Sequence, residues 1–300
     1  MKSIRVRIGV GLALLISAAG GEAGAKEFVW KLEPGKTYEV VSKQTMVTGV
    51  PTPGGEVSIT AKMEMVGRWR VLERDSQGNI TMEQTIERMK MEMDTPQGKI
   101  TVDSNDEATL KSPAAQAFGT MIGRVKKIVV TQKMSPLGKI LDTQIKSRDG
   151  SDVAGLLPGA SASNIKEMVS GNVLRFPNKD IAPGATWTDE RTMSMQGLGG
   201  AMKLEMNYKY VGTEKLEGKD RDRFDAQIKF VPSGDNQQQA NVKGKGTMTV
   251  YFDAGAGYTD TTKMKYEVTI TRTLFGQTTT ATMKNEATTT IRPVQSTSGE

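Results

Sequence analysis

Long antiparallel strands forming a curved sheet or open barrel, with one or two short helices packed on it, are the mainly β fold predicted by this sequence of 300 residues. Three observations predict it. Apolar and polar residues alternate with period two over long runs such as Val57 to Val71, the pattern of a strand with one dry and one wet face. Clusters of Gly, Pro, Asn, Asp and Ser separate the runs. Helical spacing is brief and rare. A β-sandwich is the alternative packing of the same strands.

The chain opens with a leader. Lys2, Arg5 and Arg7 precede a short apolar run, Ile8 to Ala19, and Ala23-Gly24-Ala25 is the small-x-small pattern of a cleavage site. The run is too short to span a bilayer, which takes roughly 20 residues. Residues 1–25 therefore read as a signal peptide, and the mature chain is expected to begin near Lys26, exported to the periplasm or secreted, soluble and without a transmembrane segment. The rest divides into a first β repeat at 26–147 with a helix near 113–122, a linker with a short helix at 148–174, a second β repeat at 175–293 and a disordered tail at 294–300.

In the first repeat, Val57, Ile59, Ala61, Met63, Met65, Gly67, Trp69 and Val71 share one face, and Gly67 is the natural bend in so long a strand. Asp75 to Asn79 forms a turn, and Ile80, Met82 and Ile86 resume the inward stripe. The stripe then shifts by one residue to Met89, Met91 and Met93, which predicts a bulge near Glu87 or Arg88. Thr95 to Gly98 closes that strand. Ser112 and Pro113 read as the N-cap and first residue of a helix, with Ala114, Ala117, Phe118, Met121 and Ile122 as its apolar stripe and Gly123 as its end. A second helix is expected over Ser163 to Val169.

The second repeat alternates through Met202, Leu204, Met206, Tyr208 and Tyr210, turns over Glu217 to Asp222, and continues through Phe224, Ala226, Ile228 and Phe230. Two more alternating runs, around Met248 to Phe252 and Met264 to Ile270, flank the loop Asp253 to Gly257. A threonine-rich strand from Thr278 to Ile291 ends the pattern.

Leu32-Glu33-Pro34-Gly35-Lys36-Thr37-Tyr38 recurs as Ile181-Ala182-Pro183-Gly184-Ala185-Thr186-Trp187, and the turns Met134 to Ile140 and Phe252 to Tyr258 look like a second corresponding pair. With the methionine-rich run Lys90 to Asp94, the segment Gly123 to Leu141, and Phe176-Pro177 leading to Gly184-Ala185-Thr186-Trp187, the mature chain resembles a family of exported bacterial β-rich proteins classed only as a domain of unknown function, often lipoproteins. The resemblance covers nearly all of the mature chain and implies an exported β-rich shape, with no active-site residue. This sequence has no cysteine to lipidate, so a lipid anchor is not expected.

Composition excludes much chemistry. Without cysteine or histidine there is no thiol nucleophile, no thiolate or imidazole metal site and no histidine general base. The leader holds three cations and one acid, so 37 basic and 33 acidic residues follow it, mixed along strands rather than gathered in a basic stripe; nucleic acid is not an expected partner. Carboxylates such as Asp103 and Asp106 are the remaining catalytic option, and no spacing singles them out.

The expectation is a non-enzymatic envelope protein with no cofactor, binding an apolar ligand such as a lipid or acyl chain, or a partner protein. The candidate lining is Met63, Met65, Trp69, Met89, Met91, Met93, Met206, Tyr208 and Tyr210. Thioethers two residues apart, including Met193 and Met195, also raise Cu(I) binding as an alternative, against the plainer reading of methionine as core filling. A carboxylate-based enzyme is the third reading.

Overall fold

The computed structural model describes residues 24–52, 54–96, 98–150, 173–195, 200–233, 241–274 and 277–295. The leader up to residue 23, the expected helix at 163–169 and the tail from 296 lie outside them. The strands are β1 (Thr37–Thr52), β2 (Gly55–Arg74), β3 (Ile80–Thr95), β4 (Gly98–Asp103), β5 (Ile128–Met134), β6 (Ile140–Ser147), β7 (Thr186–Met195), β8 (Gly200–Leu216), β9 (Lys219–Ser233), β10 (Asn241–Asp253), β11 (Tyr258–Leu274) and β12 (Gln277–Pro293). All join one open, curved antiparallel sheet ordered β6-β5-β3-β2-β1-β12-β11-β10-β9-β8-β7. β4 pairs with the second half of β3, and β5 with its first half.

Most strands lie beside their sequence neighbours, as hairpin turns require. The exception is the centre, where β1 pairs with β12 from Tyr38↔Pro293 to Gly49↔Thr282. β6 and β7 therefore sit at opposite edges.

The alternation in β2 sets the faces. Tyr38↔Trp69, Val40↔Gly67, Ser42↔Met65 and Gln44↔Met63 are opposed, so these side chains share the inner face. The phase shift in β3 is a bulge, as predicted: Val66 opposes Arg88 and Gly67 opposes Ile86, leaving Glu87 unpaired between them. Gly67 is needed there because a Cβ would lie 2.9 Å from the Thr85 carbonyl. At the expected turn, the Asp75 carboxylate accepts from the backbone N–H groups of Gln77 and Asn79 at 3.0 and 2.9 Å.

Two boundaries differ from expectation. Pro113 opens a 3-10 turn (Pro113–Ala115), and the longer helix, α2, follows at Gln116–Val125; a shorter one, α1 (Glu107–Leu110), precedes both. Ser112 makes no capping bond, whereas Asp106 caps α1 by accepting from Ala108 N–H at 3.0 Å. Gly123 does not stop α2, because ending a helix on glycine needs a positive φ that this residue does not adopt. The predicted turn Glu217 to Asp222 shrinks to Glu217-Gly218, with φ of 51° and 79°, and the strands zip up to Leu216↔Lys219. Consecutive positive φ values are the tight hairpin turn whose twist matches the strands.

The two Pro-Gly phrases act alike. Gly35 N–H donates to the Val71 carbonyl and Gly184 N–H to the Tyr210 carbonyl, at 2.9 and 2.7 Å, each tying the start of a strand to its neighbour.

Candidate functional site

The inner face divides into a filled half and a half-buried one. The filled half is covered by two extended segments that the strand pattern does not announce. Phe28, Trp30 and Leu32 on one, and Val173, Leu174, Phe176 and Ile181 on the other, are buried against the sheet. Lys26 and Ile181 exchange backbone hydrogen bonds, so the segments brace each other. Trp30 N–H donates to the Pro136 carbonyl and Lys31 N–H to the Gly257 carbonyl, both at 2.8 Å, and Phe176 N–H donates to the Leu137 carbonyl at 2.9 Å. The two loops read as corresponding turns thus clasp the same strip of chain.

Aromatic rings fill the space beneath. Phe28 stacks on Phe176 at 5.6 Å and meets Phe224 edge-on at 5.0 Å, and Trp30 meets Phe252 edge-on at 5.6 Å while its indole N–H donates to the Leu174 carbonyl at 2.9 Å. Such contacts contribute about 0.5–1.5 kcal/mol each beyond area burial.

Charge fastens the plug at its rim. Asp222, 3% exposed, accepts from Tyr210 at 2.6 Å and Thr213 at 2.8 Å and pairs with Lys26. Arg191 bridges Asp189 at 2.8 Å and the Val173 carbonyl at 2.7 Å. Asp260 pairs with Arg221 at 2.9 Å and Arg292 at 2.6 Å. Burial pushes the Asp260 carboxyl upward, but hydrogen bonds from Arg221, Thr261 and Arg292 outweigh it and hold it below the usual range. A carboxyl lowered in the folded state stabilises above its unfolded value, about 3.9 for Asp, and that contribution is lost as pH falls through the folded value. The acid limb of a melting-temperature series below about pH 4 should therefore be shallower in Asp260→Asn than in wild type; equal slopes would show that this cluster carries no pH dependence.

Three candidate residues, Met206, Tyr208 and Tyr210, lie in this filled half, 4%, 1% and 1% exposed, and Trp69 packs against it. Burial pushes the Tyr208 hydroxyl up to about 12. Met206, Tyr208 and Tyr210 are buried in the core, and Trp69 is half-buried against it. Trp187 is likewise engaged, stacked on Tyr208 at 5.2 Å with its indole N–H donating to the Arg175 carbonyl at 3.0 Å.

The other candidates occupy the far half of the same face. Register places Met63 opposite Met91, Met65 opposite Met89 and Ala61 opposite Met93, so the methionines form one patch, all half-buried. Met89 and Met91 pack against a smaller cluster of Val102, Ala115, Ile122 and Phe118 under α2. Met46, Met63, Met65 and Met93 belong to none of the packed clusters. The side chains of Met193 and Met195 lie outside the described residues.

The carboxylates weighed as catalysts have structural roles. Asp103 pairs with Arg88 and Asp106 caps α1. Among the described residues, no three Asp, Glu, His or Cys side chains converge as metal ligands. On the outer face, Lys43, Lys62, Glu64, Lys90, Glu92 and Glu286 are among the residues around a shallow trough of about 440 Å³. Its charges are largely paired, Lys90–Glu92 at 2.8 Å, Lys43–Glu64 at 3.5 Å and Lys265–Glu286 at 3.0 Å. Lys90 and Lys99 hold the Glu92 carboxyl down at about 2. No described helix is long and apolar enough to cross a membrane, which says nothing of strands.

No protein-family model matches the chain, and no curated protein matches it in sequence. Among solved structures it is similar to lipovitellin, in a study of lipid–protein interactions, at a TM-score of 0.51 and 11% identity over 90% of this chain and 26% of that one. The chain thus spans about a quarter of that protein's length, and the likeness is one of fold. An outer membrane channel from Pseudomonas putida F1 gives a TM-score of 0.26 at 11% identity, over 87% of this chain and 97% of that one. A provisionally assigned lipoprotein from Parabacteroides distasonis gives 0.29 at 9% identity, over 89% and 98%. The last two values are too low to establish a common fold. What these comparisons show of this chain is a long-stranded, curved antiparallel sheet.

Proposed function

We propose that this is an exported, non-enzymatic envelope protein that binds an apolar ligand, a lipid or acyl chain, on the far half of its inner sheet face. The observation that carries the reading is the division of that face: an aromatic plug fills one half, while Met46, Met63, Met65 and Met93 continue the apolar stripe, half-buried, outside every packed cluster. Unbranched, polarizable thioether side chains adapt to chains of varied shape better than a fixed aromatic lining does. The leader, the absence of histidine and cysteine, and the structural roles of Asp103 and Asp106 support export and a non-catalytic role.

The test uses diphenylhexatriene, a hydrocarbon that fluoresces when removed from water. The delipidated protein should bind it saturably, and Met63→Glu, which places a carboxylate on the patch, should weaken binding at least tenfold. Lys62→Glu, on the opposite face, should leave it unchanged. No binding by wild type, or equal binding by Met63→Glu, would remove this reading.

A further inference from the structure

Polar side chains also stand on the inner face, Ser42 and Gln44 on β1 and Asn285 on β12, and of these three Asn285 is the buried one. Asn285 lies on β12 between Met283 and Ala287 of the inner face and opposes Met46 on β1 and Tyr266 on β11. It is 3% exposed, and its amide Nδ2 has no hydrogen-bond partner among the described residues. A buried amide without a partner costs about 1–3 kcal/mol, and leucine would fill the same position without that cost. Its direct cross-strand neighbours are Met46 and Tyr266, with Gln44 and Thr48 of β1 diagonal to it. Met283 packs against the main core, and Tyr266 tilts against Phe230 at 5.2 Å, its hydroxyl pushed up by burial alone.

An N–H donor set among thioethers and a tyrosine ring is suited to a ligand that is apolar along its length and accepts a hydrogen bond at one point. We infer that Asn285 is the polar anchor of the ligand face: its Nδ2 donates to the carbonyl oxygen of an acyl group whose hydrocarbon chain lies over Met46, Met63 and Met65. The inference rests on the apolar-ligand reading above and adds the ligand's class, an acyl carbonyl compound rather than a plain hydrocarbon. The carbonyl of a free acid and that of an ester have the same acceptor, so both sources enter the test. Uncharged Asn285 supplies a hydrogen bond and no countercharge, which favours the ester.

Three probes separate the possibilities: cis-parinaric acid, its methyl ester and diphenylhexatriene, each titrated into wild type and Asn285→Leu. The expected result is that Asn285→Leu binds the methyl ester about tenfold more weakly, as loss of a buried hydrogen bond implies, while diphenylhexatriene binding is unchanged. Loss for the ester and not the acid, or for both, identifies the source and supports the anchor. Unchanged binding of both acyl probes overturns the anchor while leaving the apolar face standing; absence of all binding by wild type removes the face itself. Folding gives a second reading, because Asn285→Leu should be at least as resistant to urea as wild type. A clear fall in its unfolding midpoint would show that the amide is satisfied within the fold, and would overturn the inference even if binding could not be measured on the variant.

Discussion

Trp30→Ala should unfold about 3–5 kcal/mol more easily than wild type, the usual cost of deleting a buried tryptophan, measured by urea titration. Against a typical total of about 5–15 kcal/mol, that is a large share. The indole is 1% exposed, meets Phe252 edge-on and donates to the Leu174 carbonyl, so its removal opens a cavity and also leaves a buried carbonyl without its donor. Trp30→Phe keeps most of the ring volume and should lose about 1–2 kcal/mol, chiefly the hydrogen bond. The plug's backbone is tied to loops from both halves of the sheet, so the loss should appear in a single transition. A separate early transition in Trp30→Ala, with the main midpoint unchanged, would mean that the plug docks onto a sheet already stable without it.

Gly257→Ala should be nearly as costly, for a different reason. At φ 69° this glycine holds the left-handed conformation, which costs an alanine roughly 1–2 kcal/mol. Its missing Cβ would also fall 2.3 Å from Lys31 Cβ and 2.5 Å from Lys31 N, where the plug crosses the loop. The clash cannot be relieved without breaking the bond from Lys31 N–H to the Gly257 carbonyl, and the total is expected to be about 3 kcal/mol or more. Gly184→Ala is the control. It has φ 87° but nothing within 4 Å of its Cβ, so it should show the conformational cost alone, roughly 1–2 kcal/mol. Equal losses at the two positions would mean that the plug does not press on the loop at Gly257.

The strands were legible because one physical signal, alternation, dominates them. Val57 to Val71 has a single wet face over its whole length, and even the phase shift at Glu87 shows in the order of Ile86, Met89 and Met91. Boundaries were less legible where local chemistry competes. Ser112-Pro113 carries every mark of a helix start, yet proline supports a 3-10 turn equally well, and Asp106 supplied a better cap for an earlier helix.

The covering plug was missed for another reason. Phe28, Trp30 and Leu32 alternate as a strand would, but the run is short and precedes the Pro-Gly phrase, where it reads as an approach to the sheet. Its partner Val173 to Ile181 is distant in sequence, and nothing local says that the two meet. For the candidate residues the same cause applies: stripe membership put Met63 and Tyr208 on one face, but which half of that face is covered depends on those distant segments. Asn285 carried a signal that went unread, a polar residue at an inward position of a threonine-rich strand, where neighbouring polarity hides it.

The seam between β1 and β12 has a consequence for how the polypeptide reaches its final state. Contacts between the two ends of a long chain form slowly, because so much loop must close before any hydrogen bond repays the lost entropy. A ribosome delivering this chain from its amino end cannot complete the middle of the sheet until the last strand has emerged.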